Sequence, residues 1–370
     1  MNNNNITFLN QIITNWGTKK SPSASEWQEL VADALISPQR AKAFGITPEN
    51  AEEMIQARSR LCQSVYTDIL SLPSFSQQIS LSSPSNILLS LWNLWLPLAI
   101  QLSESRQKLA RPLIQGILGG QGTGKTTLGI VLGVILDYLG YRTISISIDD
   151  LYKTYQDRQL LQKQDPRLIW RGPPGTHDID LGLQVLDQLL SPHQYNSIQV
   201  PRFDKSAWGG AGDRIEPEII ESVDIVLFEG WFVGVQPIDP SIFDTLTLAP
   251  IETDSDGEAR QRHRKFARDT NERLKDYLPL WERLDKLIVL YPTDYRLSLQ
   301  WRLQAEQEMM ATGKSGMTES QVYDFVNYFW RALHPELFIT PLTRNSNWAD
   351  LVIEINPDHT PGKIYKPGDI

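Results

Sequence analysis

Residues 119–126 read G-G-Q-G-T-G-K-T, followed by Thr127. Glycines at this spacing let successive backbone N–H groups turn inward around phosphate oxygens. A helix starting just behind them adds the positive end of its dipole. In such a loop the lysine reaches the β- and γ-phosphates and the next hydroxyl binds a divalent ion. Gly119, Gly120, Gln121, Gly122, Thr123, Gly124, Lys125, Thr126 and Thr127 are therefore expected to hold ATP with Mg²⁺. Lys125 would act on the transferred phosphate and Thr126 on the metal. This fixes the donor end of a reaction only. The phosphate could go to a second molecule, to water, or remain in place as a switch.

Carboxylates further along bear on that choice. Asp149 and Asp150 close the run "SISIDD", and Glu229 closes "IVLFE". A carboxylate facing the terminal phosphate can take the proton of an attacking hydroxyl. Another beside it can bind the metal or one of its waters. Asp149 and Glu229 are assigned these roles, and Asp150 is ranked second, on the acceptor side. Acids after an apolar run also serve simply as helix caps or surface-turn residues. Two proline- and glycine-punctuated segments, "IWRGPPGTHDIDLG" (169–182) and "VPRFDKSAWGGAGDR" (200–214), gather Arg171, His177, Asp178, Arg202, Lys205 and Arg214. Any one of them alone reads as a solvated charge. As a group within long irregular segments they point to a pocket for an anionic acceptor. Residues 292–316, "PTDYRLSLQWRLQAEQEMMATGKSG", carry Arg296 and Arg302 ahead of a Gly-Lys-Ser-Gly stretch. They suit a lid that excludes water and supplies cations, or an ordinary helix with solvent-facing arginines.

These residues need elements to hold them. "LIQGILGG", "YRTISISID", "DIVLFEG", "DKLIVLYP" and "LVIEIN" are short, apolar and strand-like, and "GKTTLGIVLGVILDYLG" between the first two is helical. Buried strands alternating with helices predict an α/β fold, a parallel sheet flanked by helices, with ligands at the carboxyl ends of the strands. Lys125, Asp149 and Glu229 all fall there. Residues from about 24 to 105 carry helical spacing, as in "SEWQELVADALIS", after a start read as a frayed tail, and no cluster there suggests chemistry. The expected organisation is a helical accessory region over 1–105 and a catalytic domain over 106–370, with a lid near 292–316.

At 370 residues the chain can bury a sizeable core. Its net charge of −9 argues against nucleic acid or an acidic membrane as partner. The single cysteine, Cys62, cannot form an internal disulfide, which fits a reducing compartment. The first residues lack the apolar core and cleavage site of a secretory signal, so a cytoplasmic location is expected. The run "ILLSLWNLWLPLAIQL" (87–102) is interrupted by Ser90, Asn93, Pro97 and Gln101, and is expected to be a buried helix rather than a membrane span.

The order of a phosphate-binding loop, Asp149-Asp150-Leu151-Tyr152, Glu229-Gly230, and Asp294 to Leu297 resembles the phosphoribulokinase, uridine kinase and pantothenate kinase superfamily of P-loop enzymes. Within it, "GPPGTHDI", "FDKSAWGGAGDR", "FEGWFVG" and "WRLQAEQEM" are similar to the plant-type D-glycerate 3-kinases. The resemblance covers roughly residues 90–360. It implies a P-loop fold and MgATP-dependent transfer to the 3-hydroxyl of D-glycerate. It also implies Asp149 as base, Glu229 as the acid of the E-G strand end, and Arg296 at the start of the lid helix. The pattern departs at Leu299 and Gln300, where related kinases carry further arginines. A bidentate arginine on the glycerate carboxylate, with His177 or Asp178 on a hydroxyl, would align one oxygen with the γ-phosphate. Pantothenate is also a carboxylate with a primary hydroxyl, and the residues alone do not separate it from glycerate. Uridine or a sugar phosphate as acceptor, or an ATP-driven switch, are the other readings. Oligomeric state is not indicated.

Overall fold

Eight strands and their connecting helices make up the sheet region of the computed structural model, which describes residues 11, 12, 15, 22–76, 84–245, 247–251, 257–311, 313 and 316–369. Most of the asparagine-rich start, and Lys314 and Ser315 of the expected lid, lie outside the described residues. In chain order the strands are β1 (Leu113–Gly119), β2 (Thr143–Ser147), β3 (Ile198–Asp204), β4 (Asp213–Ile220), β5 (Ile225–Gly230), β6 (Lys286–Pro292), β7 (Leu351–Ile355) and β8 (Pro361–Tyr365). Six form one sheet in the order β2-β5-β1-β6-β7-β8, with all pairs parallel except β7–β8. The five apolar runs are therefore strands, and the fold is α/β with a mostly parallel sheet between helices.

The strands are apolar throughout because both faces are covered. Successive side chains go to opposite sides. Leu113, Ile117, Ile225, Leu227, Ile288, Leu290, Leu351 and Ile353 enter one core. Ile114, Leu118, Val226, Phe228, Leu287, Val289 and Val352 enter the other. Each such burial contributes about 1.5–3 kcal/mol relative to exposure. The first core is closed by the helix Lys125–Tyr138, through Leu132 and Ile135, and by the N-terminal helices, through Leu30, Ile55 and Trp92. The second is closed by the helix Ile179–Leu190 and by Phe232, Tyr277 and Leu280.

The N-terminal helices include Ala24–Ile36, started by a Ser23/Glu26 capping box, and Ala51–Leu70. A third runs through three consecutive segments: Pro84–Ser90, a π-helical turn Leu91–Trp95, and Leu96–Gln107. The π turn has a local cause. Pro97 has no N–H to give to the carbonyl of Asn93, and the Leu96 amide reaches back to Leu91 instead. The segment Asn86–Gln107 is long and apolar enough to cross a membrane, but 78% of its apolar window is buried inside the molecule.

Two strand elements went unread in the sequence. Residues 200–214, expected to be irregular, run from β3 through its turn into the start of β4, an antiparallel hairpin. Pro201 sits where the register jumps between Val200 and Arg202, the kind of bulge that tolerates a residue without an N–H. The other is β8, an antiparallel edge strand beside β7.

Candidate active site

β1 ends at Gly119, and the chain turns through Gly120–Gly124 into the helix Lys125–Tyr138. Gly122 and Gly124 have φ of 78° and 84°, a conformation that disfavours any side chain. A Cβ on Gly119 would stand 2.5 Å from Thr123 Oγ1. Lys125 Nζ donates to the Gly120 carbonyl at 2.9 Å, as does Thr123 Oγ1, also at 2.9 Å. Burial pulls the Lys125 pKa below that of ordinary lysine. The charges of Glu229 and Asp149 oppose that shift, and Lys205 adds to it. Thr126 is exposed on the first turn of the helix, and Gln121 and Thr127 are half-buried. A cavity of about 310 Å³ runs alongside residues 122–128.

The sheet order sets Glu229 in the middle of this edge, because β5 lies between β1 and β2. Glu229 pairs in register with Ile117 on one side and Ser147 on the other. Its Oε2 is buried and has no hydrogen-bond partner among the described residues. Asp149 stands on the 3₁₀ turn Ile148–Leu151 that follows β2. Its Oδ2 lies 2.6 Å from Lys205 Nζ, and the Tyr152 hydroxyl donates to the same carboxylate. Burial would raise its pKa, but Lys205 and Tyr152 hold it below the usual value. Asp150 is engaged elsewhere. It accepts the Ser147 amide at 2.9 Å, closing a capping box, and pairs with Arg202 at 3.0 Å. Burial raises its pKa in spite of both contacts.

The acceptor-side residues come together through a single β-bridge, Tyr152↔His177, which pins residues 176–178 against 151–153. The Tyr152 and His177 rings stack at 4.5 Å. Burial pushes the His177 pKa down to about 3, so the ring is neutral. Tyr277 Oη accepts the Gly175 amide and lies 2.7 Å from His177 Nδ1. His177 Nε2, on the other side of the ring, is buried without a partner among the described residues. Asp178 caps the helix Ile179–Leu190 and pairs with Arg214 at 2.9 Å, while Arg214 Nε donates to the Tyr152 carbonyl. Arg171 donates to the Gly210 and Ala211 carbonyls and lies over the rings of Tyr152 and Phe203.

Arg202 is not part of this group. Its guanidinium is taken up by Asp150, Glu218 and the Ser145 carbonyl at the root of the hairpin. Arg158 belongs there instead, and sequence reasoning missed it. It donates to the Ala211 and Gly212 carbonyls and lies over Phe203. Burial and the neighbouring Arg171 charge lower its pKa. A faint signal existed: Thr154 caps the helix Tyr155–Gln164 directly after the Asp149 turn, so residue 158 stands one turn in, over Lys153. Arg296 precedes the helix Leu297–Ala311, with 61% of its side chain exposed, paired with Asp294 and lying over Tyr295. Arg302 is held by Glu306 at 2.5 Å and lies over Phe325.

Among the described residues no group of three or more His, Cys, Asp or Glu side chains is arranged to hold a metal unaided. Mg²⁺ keeps its waters and arrives on substrate phosphates with one or two protein oxygens. The orphaned Glu229 Oε2 and the exposed Thr126 hydroxyl fit that donor set.

No family model matches the chain. It is 30% identical over 262 residues to the chloroplastic D-glycerate 3-kinase of Arabidopsis thaliana, covering 68% of this chain and 54% of that protein. The chain thus spans about half the length of that relative. It is 31% identical over 236 residues to the uncharacterized kinase mug58 of Schizosaccharomyces pombe, covering 62% of this chain and 82% of that one. Among solved structures, the D-glycerate 3-kinase of Cryptococcus neoformans var. grubii superposes with a TM-score of 0.63 at 28% identity, covering 72% of this chain and 96% of that one. With a phosphate loop, an acid-ended neighbouring strand and these relatives, the chain belongs to the P-loop kinase family that contains the D-glycerate 3-kinases.

Proposed function

We propose that the chain transfers the γ-phosphoryl group of ATP, bound with Mg²⁺, to the 3-hydroxyl of D-glycerate, giving 3-phosphoglycerate. The observation that carries this reading is the setting of Asp149. Its charge acts on Lys125 of the phosphate loop, and it touches Lys205 and Tyr152 of a cluster rich in cations. A switch needs no such second pocket. The loop amides and Lys125 hold the β- and γ-phosphates. Mg²⁺, when bound, neutralises charge on those phosphates, with Thr126 and Glu229 as its protein partners. Asp149 takes the proton of the acceptor hydroxyl as that oxygen bonds to the γ-phosphorus and the bond to the ADP oxygen breaks. Lys205, Arg171, Arg158 and Arg214 surround the acceptor's carboxylate. Arg171 is the best placed to orient it, since its guanidinium stacks on the pocket's own Tyr152 ring. His177 Nε2, the ring's unpaired nitrogen, hydrogen-bonds a neutral hydroxyl of the acceptor, and Arg296 adds a cation from the start of the lid helix.

ATP consumption measured with D-glycerate, L-glycerate, pantothenate, uridine and no acceptor tests the assignment. Turnover dependent on D-glycerate is expected. Turnover with pantothenate but not glycerate would overturn the acceptor, and turnover indifferent to every acceptor would favour a switch.

A further inference from the structure

The cavity beside the phosphate loop has three walls. Trp301, Gln304 and Glu308 of the helix Leu297–Ala311 form the first. Asp358, His359 and Thr360 of the β7–β8 turn form the second. These two are locked to the loop itself: His359 Nδ1 lies 3.0 Å from the Gly122 carbonyl, and its ring stacks on Trp301 at 4.6 Å. The third wall comes from well upstream of the loop, between Phe75 and Trp95. Phe75, Ile87, Ser90, Leu94 and Trp95, with Asn86 at the rim, face the same space.

Several features make this third wall a built surface. Phe75 and Trp95 stack at 5.7 Å with an interplanar angle of 18°. Ser90 and Trp95 flank and end the π-helical turn Leu91–Trp95, and such turns occur often at functional sites. The cavity, about 310 Å³, lies in the range of small-molecule sites and leads directly to Gly124, Lys125 and Thr126. Its walls combine flat aromatic faces with a few polar groups, which is the chemistry that receives a nucleobase: a π face to stack and an edge of donors and acceptors.

We propose that the N-terminal helical region is part of the donor site, with Ser90, Leu94 and Trp95 shaping the recess that takes the nucleobase of ATP. The inference rests on the reading of the loop as an ATP site, and extends it to residues outside the motif. The helical region thereby acts on nucleotide selection as well as on packing. Inorganic tripolyphosphate, which has no base, reaches the loop without touching this wall.

Calorimetric titration of wild type and Ser90→Leu with MgATP and with Mg-tripolyphosphate provides the test. Leucine at position 90 projects bulk into the recess without emptying the core. The expected result is a tenfold or greater rise in the ATP Kd with tripolyphosphate affinity kept within twofold. An unchanged ATP affinity, or an equal loss for both ligands, would overturn the proposal. Photolabelling of the wild-type protein with 8-azido-ATP decides the matter independently of how the variant folds. Label on residues 86–95 is expected, and label confined to 301–308 and 358–360 would overturn the proposal. Label on 86–95 in a protein that ignores D-glycerate would uphold the recess and overturn the acceptor assignment alone. A wild type that binds no ATP would overturn both.

Discussion

Asp149 is held between burial, which favours its neutral form, and Lys205 with Tyr152, which favour the carboxylate. The second influence wins, so the group is ionised across the neutral range and ready to accept a proton. Asp149→Asn is expected to lower kcat on the order of 10²-fold or more with ATP affinity retained. Near-normal turnover would remove Asp149 from the role. Lys205 gives a sharper test because its effect has a sign. With its folded-state pKa depressed, Asp149 loses its charge only below the ordinary carboxylate range, so the acid limb of kcat/KM from this group lies at low pH. In Lys205→Ala the burial contribution is left opposed only by Tyr152 and the weaker influence of His177. The pKa rises and the acid limb moves to higher pH. Profiles of kcat/KM from about pH 4 to 8 check this, and superimposable limbs would uncouple the two residues. His177 contributes no such limb near neutrality, since burial keeps it uncharged down to about pH 3.

The phosphate loop and the helix Leu297–Ala311 meet where Gly122 faces Trp301. A Cβ on Gly122 would lie 2.6 Å from the Cβ of Trp301, and the residue's φ of 78° is itself unfavourable for alanine. Gly122→Ala is therefore expected to destabilise by about 1–3 kcal/mol and to weaken ATP at least tenfold, because loop and helix cannot both keep their places. Gly133, inside the helix Lys125–Tyr138, has nothing within 4 Å of a built Cβ. Gly133→Ala should raise stability by about 0.5–1 kcal/mol with ATP binding unchanged. Melting curves with and without ATP separate the two. The same contrast explains how much of the molecule was legible. Motifs and apolar strands declare themselves locally, so the phosphate loop, the five core strands, and the meeting of Lys125, Asp149 and Glu229 were all readable. The β3–β4 hairpin was hidden by Pro201 and Pro217, which a two-stranded ribbon can carry at a bulge and along an edge. Arg158 and Arg202 exchanged apparent importance for another reason. Whether a guanidinium is spent on Asp150 and Glu218 or lies in a pocket depends on contacts 16 to 54 residues apart in the chain. The upstream wall of the donor cavity was invisible on the same ground. Nothing in "NILLSLWNLW" marks it as lying beside "GTGKTT".

At the scale of the whole molecule, the N-terminal helices and the sheet do not keep separate interiors. Leu30, Ile55, Cys62 and Trp92 belong to the same continuous core as Leu132 of the phosphate-loop helix and Ile117, Ile225 and Ile288 of the sheet. A helical appendage with its own core would unfold by itself and leave nucleotide binding behind. A shared core predicts the opposite, because the sheet's face would be stripped of its cover as the helices leave. Ile55 is fully buried on the helix Ala51–Leu70, and it touches neither the phosphate loop nor the acceptor pocket. Ile55→Ala is expected to cost about 2–5 kcal/mol, and that loss should fall on the entire molecule. In urea, circular dichroism and ATP-dependent fluorescence are then expected to change together in wild type and variant, both midpoints moving down by the same amount. Helical signal lost at a lower urea concentration than ATP binding, in either protein, would instead make the first hundred residues an independent unit laid on a self-sufficient kinase.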